Sequence, residues 1–347
     1  MKSKIIVEDM KKIWIFGWAC LAALNVLGQD FVKGADIGFL TMQEKSGQKF
    51  YDVQGNEREC LSLLKDYQLN AVRLRVWVNP RWGGCDAQDV LQKALRAQAA
   101  GMDILIAFHY SDSWSDPAKQ PVPEAWKGHS YRQMKRDLAR HTIETLRLLK
   151  DHGVSPRWVQ VGNETRNGML WDMGRFDVNP EQYAGFIRAG YEAAKKVFPE
   201  TIVMVHLDNG FDSAMFDDHL DTILRYGGKF DMIGMSLYPY WAMKGGREPS
   251  ADQTITDGIA NINHLWEKFG REVMIVETGF EVDEQHPEVM EQGRDLLARM
   301  IREARTLTAG HCRGVFYWEP QCLPGGYQLG AFSSKGAPTV IMDGFVE

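Results

Sequence analysis

Two glutamates stand where acid–base chemistry can be done. Glu164 ends the stretch Val161-Gly162-Asn163-Glu164, and Glu277 lies in Ile275-Val276-Glu277-Thr278-Gly279. Each closes an apolar run, so each carboxyl projects from a rigid element. Two facing carboxyls can hydrolyse a glycosidic bond: the protonated one supplies the leaving oxygen with a proton, and the ionised one attacks the anomeric carbon. One strand-end Glu is equally well explained as a structural ion pair. Two of them, the first preceded by the amide of Asn163, form the pattern of a site. For such a pair the expected separation is about 5–5.5 Å with retained anomeric configuration, because that gap has no room for an attacking water.

The elements that must hold these groups can be read from hydropathy. From residue 34 onward, short apolar runs alternate with amphipathic stretches. The runs predict strands at 34–39, 71–78, 103–109, 158–162, 202–207, 232–237, 273–276 and 314–318. Helical periodicity occupies 57–67, 87–100, 131–150, 180–197, 213–226, 254–269 and 288–308. Strict β-then-α alternation implies parallel strands with right-handed crossovers, and eight such units point to a (β/α)8 TIM barrel of the α/β class. Only 29 residues follow Trp318, so the last helix is expected to be short or degenerate. No linker or composition break divides the chain, which reads as one domain.

In this architecture active sites form where strands meet the following loops. The predicted strand ends carry Asp36, Arg75, His109, Asn163 with Glu164, His206 with Asp208 and Asn209, Tyr238, Glu277, and Trp318. Carboxylates, amides, histidines and aromatics at all eight ends describe a bowl for a carbohydrate.

Composition narrows the remaining classes. The 347 residues include 40 Lys+Arg against 46 Asp+Glu, a net charge of −6, and 44% are hydrophobic. That balance excludes a disordered or collagen-like chain and a multi-span membrane protein, and it opposes non-specific nucleic-acid binding. The 11 Trp and 11 Tyr exceed what a core of this size needs, so some are expected to face a ligand. Lys11 and Lys12 precede an apolar run at 13–27 and then Gly28, which reads as a signal peptide over 1–28, with Met10 as an alternative start. The run is shorter than the roughly 20 residues a bilayer span needs. A lipid anchor at Cys20 is disfavoured, because Gly17 and Trp18 suit a lipobox poorly. The expectation is export through the inner membrane, to the periplasm or beyond, of a monomeric barrel over 29–347. Cys60, Cys85, Cys312 and Cys322 permit two disulfides or four thiols in a self-sufficient core, and both readings stand. No zinc spacing, P-loop, nucleotide fingerprint or HExxH is present, so no metal and no cofactor are expected.

At the level of motifs the chain resembles the endo-β-1,4-galactanases of glycoside hydrolase family 53. The resemblance rests on GADIGF at 34–39, VRLRVW at 72–77, FHYSDSWSDPAKQ at 108–120 and WVQVGNE at 158–164. HLDNG at 206–210, VETGF at 276–280 and VFYWEP at 315–320 complete it. It implies a retaining endo-hydrolase of β-1,4-galactan, with galactan and galacto-oligosaccharides as its partners. By this resemblance Glu164 matches the acid/base, Glu277 the nucleophile, and Asn163 the amide that bonds the sugar 2-hydroxyl. Arg75 is matched to the cation that keeps the nucleophile ionised, with Arg73 on the same inward face as an ion-pair partner. Tyr238 is matched to the hydroxyl on the nucleophile and Trp318 to the aromatic floor of the cleaved sugar. His109, His206, Asp208 and Asn209 are expected to contact sugar hydroxyls, with Asp36 also at the site. Trp114, Trp77 and Trp126 are candidate stacking platforms, Trp114 preferred; Trp158 is expected in the core.

Some bacterial members of that family carry a long calcium-binding loop after strand eight. Here only residues 322–329 separate Pro320 from the final segment, so that loop is short and calcium is not expected. Glu281, Asp283 and Glu284 could supply only part of a site. The competing readings are an endo-glycanase of the same clan on another polysaccharide, which the SDSWSDPAKQ and HLDNG stretches oppose, and a non-catalytic glycan binder.

Overall fold

The structure is a computed structural model and describes residues 31–246 and 250–346. The signal peptide, Met10 and Cys20 lie outside the described residues. Eight parallel strands form a closed barrel: β1 (Val32–Asp36), β2 (Ala71–Val76), β3 (Asp103–Phe108), β4 (Trp158–Val161), β5 (Ile202–Leu207), β6 (Met232–Ser236), β7 (Val273–Glu277) and β8 (Cys312–Trp318). They neighbour one another in chain order, and β8 closes the ring against β1. This is a (β/α)8 TIM barrel.

Helices start where local chemistry stops the strand. Asp86 accepts a hydrogen bond from the Asp89 amide at the start of α3 (Ala87–Ala99), and Ser130 with Gln133 forms a capping box for α4 (Tyr131–Asp151). Pro180 and Pro287 occupy first helical positions of α5 (Pro180–Val197) and α9 (Pro287–Thr306). Ser250 caps α8 (Ala251–Phe269), and Gly270 ends it in the left-handed region. The remaining helices are α1 (Leu40–Lys45), α2 (Cys60–Asp66), α6 (Ser213–Arg225) and α7 (Pro239–Lys244). Of these, α1 and α7 are one-turn additions inside loops that hydropathy marks as irregular. Among the described residues no α-helix follows β8. A 3-10 segment, Val340–Phe345, takes its place and seats Gly344 against Leu297 of α9.

Inside the barrel the lower layer is apolar: Val32, Ala71, Leu105, Trp158, Met204, Met232, Met274 and Phe316 are buried together. Trp158 therefore sits in the core. Gly34 has no substitute here, because a Cβ would lie 2.2 Å from the Phe316 ring. Higher up, charge replaces hydrocarbon, and Asp36, Arg73, Arg75, Gln160 and His206 are all fully buried. A register shift on the β6–β7 ladder sets Ser236 opposite Glu277. That extra residue breaks the alternation after Val276 and turns Glu277 into the barrel. Cys60, Cys85, Cys312 and Cys322 are buried free thiols, so the second of the two cysteine readings holds.

Candidate active site

The strand ends enclose a bowl of about 690 Å³, with Glu164, Glu277, Asn163, His109, Asp208 and Trp318 among its walls. Two hydrogen-bond systems organise it.

The first is centred on Arg73. Its guanidinium meets Glu277 Oε1 at 2.8 Å, Asp36 at 2.8 Å, Asn163 Oδ1 at 2.7 Å and Gln160 Oε1 at 3.0 Å. Tyr238 donates its hydroxyl to Glu277 Oε2 at 3.2 Å. Burial and the Asp36 charge raise the Glu277 carboxyl above its ordinary value, and Arg73 and the tyrosine hydroxyl limit that rise. Asn163 is locked from the other side, its Nδ2 donating to the Ser115 carbonyl at 3.0 Å. The cation on Glu277 is thus Arg73 and not Arg75. Arg75 turns the other way, toward Glu319 at 3.1 Å. Both arginines point inward, but β2 and β1 pair with Arg73 opposite Asp36, and from there its long side chain reaches the centre of the ring.

The second system is centred on His206. The Glu164 amide and the Gln160 side chain both donate toward His206 Nδ1, at 3.3 and 3.1 Å. With two donors on Nδ1 against one oxygen, Asn163 Oδ1 at 3.1 Å, the proton is assigned to Nε2, which donates to Ser236 Oγ at 2.9 Å, and Ser236 donates to Glu164 Oε1 at 2.7 Å. Burial and the Arg73 charge hold the imidazole neutral. Glu164 has no ion pair among the described residues. Burial first, then the charges of Glu277 and Asp208, raise its carboxyl well above the usual range, and the Ser236 hydroxyl opposes that rise. Two adjacent carboxyls thus have environments that split their proton affinities: one keeps its proton, and one faces a guanidinium.

Two expected sugar contacts fall outside the bowl. His206 and Asp36 are fully buried, and the Asp36 carboxyl is taken up by Arg73, Arg75, Glu319 and the Gly38 amide. They orient other groups and do not reach a ligand. Of the other candidates, His109, Asp208, Asn209, Tyr238, Trp114 and Trp318 line the bowl, and Arg75 does not. His109 is buried with neither ring nitrogen hydrogen-bonded among the described residues, and burial with Arg75 and Arg73 keeps it neutral. Asp208 pairs with Arg166 at 3.1 Å, leaves Oδ1 unbonded, and is pushed up to about 6 by burial. Trp77 and Trp126 are buried and offer no platform. Sequence reasoning missed Ser236, Gln160, Phe211, Trp241 and Tyr327. The signal for the three aromatics was their position just past strand ends; Ser and Gln carried none.

Four residues close to strand ends, Tyr110, Glu164, Asn209 and Glu319, have φ of 51°, 45°, 50° and 48°. These left-handed turns fold the chain back at the rim as it leaves the strands. Among the described residues no three His, Cys, Asp or Glu groups come together to hold a metal. Asp283 is occupied in capping the amides of Gln285 and His286. Exhaustive EDTA treatment is expected to leave activity and Tm unchanged; a large loss reversed by calcium would show a site built on Glu281, Asp283 and Glu284.

A closed (β/α)8 barrel with a carboxyl pair across its mouth is the frame of a glycoside hydrolase. Comparison with known proteins gives the family: the model described as "Glycosyl hydrolase family 53" matches residues 32–339, and the chain belongs to that family. It is 31% identical over 332 residues to the "Probable arabinogalactan endo-beta-1,4-galactanase A" of Neosartorya fischeri, covering 90% of this chain and 88% of that protein. It is 29% identical over 324 residues to the "Endo-beta-1,4-galactanase" of Bacillus subtilis, covering 86% of this chain and 72% of that protein. A solved fungal β-1,4-galactanase superposes with a TM-score of 0.81 at 28% identity, over 90% of this chain and 98% of that one. No helix among the described residues is long and apolar enough to cross a membrane.

Proposed function

We propose that this glycoside hydrolase cleaves β-1,4-linked galactan internally by double displacement, with Glu164 as acid/base and Glu277 as nucleophile. The observation that carries the assignment of roles is the asymmetry of the pair. Arg73 and Tyr238 each bond one oxygen of Glu277, which leaves an ionised carboxylate oriented for attack. Glu164 meets only the neutral Ser236–His206 chain and is kept protonated by burial. The galactan assignment is supported by the activity that the relatives' names carry.

In the first step Glu164 protonates the leaving oxygen while Glu277 attacks the anomeric carbon; the Asn163 amide is placed to bond the adjacent hydroxyl as positive charge develops. Glu164, now ionised, then takes a proton from the water that releases the sugar from Glu277. The neutral His206–Ser236 chain serves both states, because the serine hydroxyl can turn between donating to carboxylate and accepting from carboxylic acid.

Product analysis on linear β-1,4-galactan tests this reading. Short galacto-oligosaccharides of mixed length, whose first-formed reducing ends are β by NMR, are expected; galactose alone, or α products, would overturn it. A finer check is Ser236→Ala. Removing a donor that favours the ionised form raises the Glu164 carboxyl further, so the basic limb of the kcat/KM profile is expected to move to higher pH. The turnover at the optimum is expected to fall about tenfold as the acid loses its orienting bond. A basic limb that stays in place would remove Ser236 from this role.

A further inference from the structure

Arg75 has no part in the mechanism above, yet it is a fully buried cation immediately beneath the aromatic wall of the bowl. Its guanidinium carbon lies 4.6 Å from the centroid of Trp114, 4.8 Å from Phe39, 5.0 Å from Trp77 and 5.9 Å from Trp318. The rings also pack edge to face on one another: Phe39 meets Trp114 at 5.4 Å, and Trp77 meets Trp114 at 5.2 Å. Trp114 and Trp318 stand 5.7 Å apart. The guanidinium is held by Glu319 Oε1 on Nη2 and by the Cys85 thiol, while Nη1 lies 3.8 Å from Asp36 and neither Nη1 nor Nε has a hydrogen-bond partner among the described residues. A buried arginine normally fills its donor fork with oxygens. Here the π faces of indoles and a phenyl ring take that place.

The tether is itself fixed. Both oxygens of Glu319 accept from the Phe39 amide at 3.1 Å, and Gln321 donates to Oε2 at 2.6 Å. Phe39 and Glu319 thus hold the same guanidinium from ring and carboxylate, and Trp318 is the chain neighbour of Glu319. Gly38 completes the seat, since a Cβ there would lie 2.5 Å from Arg75 Nη2 and 2.8 Å from Glu319 Oε1.

We propose that Arg75 is a positioning residue that sets the planes of Trp114 and Trp318, the floor on which a sugar ring stacks, and that it does so through its aromatic cage and the Glu319 tether. The proposal rests on the reading of the bowl as a sugar cleft. An indole rotated by a small angle loses face-to-face contact with the axial C–H groups of a sugar, so the cage governs binding more than bond cleavage.

The test compares wild type, Arg75→Lys and Gly38→Ala on linear β-1,4-galactan, together with near-ultraviolet circular dichroism without ligand. Lysine keeps the charge and loses the planar stack. Gly38→Ala keeps Arg75 and displaces its guanidinium from the seat, so it serves if the lysine variant fails to fold. The expected result for Arg75→Lys is a fall in kcat/KM of about 30-fold, carried by KM, since stacking acts on bound substrate and transition state alike. The dichroism bands of the coupled indoles should change with it, and Gly38→Ala should move KM and the bands in the same direction. In a Trp114→Ala background the lysine substitution should raise KM by a smaller factor than in wild type, because only the Trp318 path to the sugar remains. Unchanged KM and dichroism in the folded variants would overturn the proposal. So would a loss confined to kcat with a shifted acid limb, which would mean that Arg75 acts on the carboxylates. Wild type inactive on galactan would instead overturn the substrate reading, and the ligand-free dichroism would still decide whether Arg75 orders the indoles.

Discussion

Replacing Glu277 by Gln is expected to lower hydrolysis of galactan by several orders of magnitude while the barrel remains folded. The amide is close in size to the carboxylate but cannot attack the anomeric carbon, so no covalent sugar intermediate forms. Glu164→Gln is expected to fail at a different step. It cannot protonate a poor leaving oxygen, yet with an activated aryl galactoside, whose leaving group needs no proton, the intermediate should form and accumulate. Stopped-flow release of the aryl group would separate the two: a burst for Glu164→Gln and none for Glu277→Gln. Azide should then restore turnover to the Glu164 variant alone, by replacing the water that needs base assistance. Near-wild-type turnover at either position, or a burst from the Glu277 variant, would refute the assignment.

Arg73→Met is the second substitution with a large expected effect. Arg73 bonds Glu277, Asp36, Asn163 and Gln160 from one fully buried guanidinium, so its loss leaves Glu277 without a counter-charge and Asp36 with only Arg75 at 3.8 Å. Breaking a buried pair in this way costs about 3–5 kcal/mol of stability. The kinetic consequence has a definite sign. The Arg73 charge lowers the Glu277 carboxyl against the upward push of burial. Without it the nucleophile ionises only at higher pH, and the acidic limb of kcat/KM moves up. At the wild-type optimum the loss is expected to be about 10³-fold, combining the protonated nucleophile with the released Asn163 amide. Arg73→Lys should restore part of the stability but little of the rate, because an ammonium cannot serve four partners in a fixed plane. An unmoved acid limb in the folded variant would separate Arg73 from the nucleophile.

The frame of this enzyme was legible in its residues, and the reason is periodicity. Barrel strands buried on both faces read as short apolar runs, and amphipathic helices between them read at their own period, so β5 and α5 were bounded to the residue. The one-turn helices α1 and α7 were not, since six residues are too few to show a period. At the site, Glu164, Glu277, Asn163 and Tyr238 could be found because their types are costly at the end of an apolar run unless chemistry needs them. Roles inside the buried layer were harder. Alternation places Arg73 and Arg75 on one face but does not say which carboxylate each will reach; that depends on the pairing of Asp36 with Arg73 across β1 and β2. His206 looked like a sugar contact because a strand-end histidine suits that task equally well. Only the donors around Nδ1 reveal that it faces inward to serve Ser236 and Glu164.

The left-handed residues at the rim bear on how this enzyme can be improved. A non-glycine residue held at positive φ costs about 1 kcal/mol or more, and domains of this kind retain only about 5–15 kcal/mol in total. Tyr110, Glu164, Asn209 and Glu319 therefore hold a sizeable share of that margin in strain, concentrated on the catalytic face. Glycine at Asn209 would relax the backbone there, whereas at Glu319 it would leave the buried Arg75 without its ion pair to that carboxylate and lower Tm. Even at Asn209 the gain would come with loss of a wall of the bowl. Thermostabilising work on this barrel is better directed to the outer helices and to the loops entering the strands, where Gln68 and Ala309 hold positive φ away from the bowl.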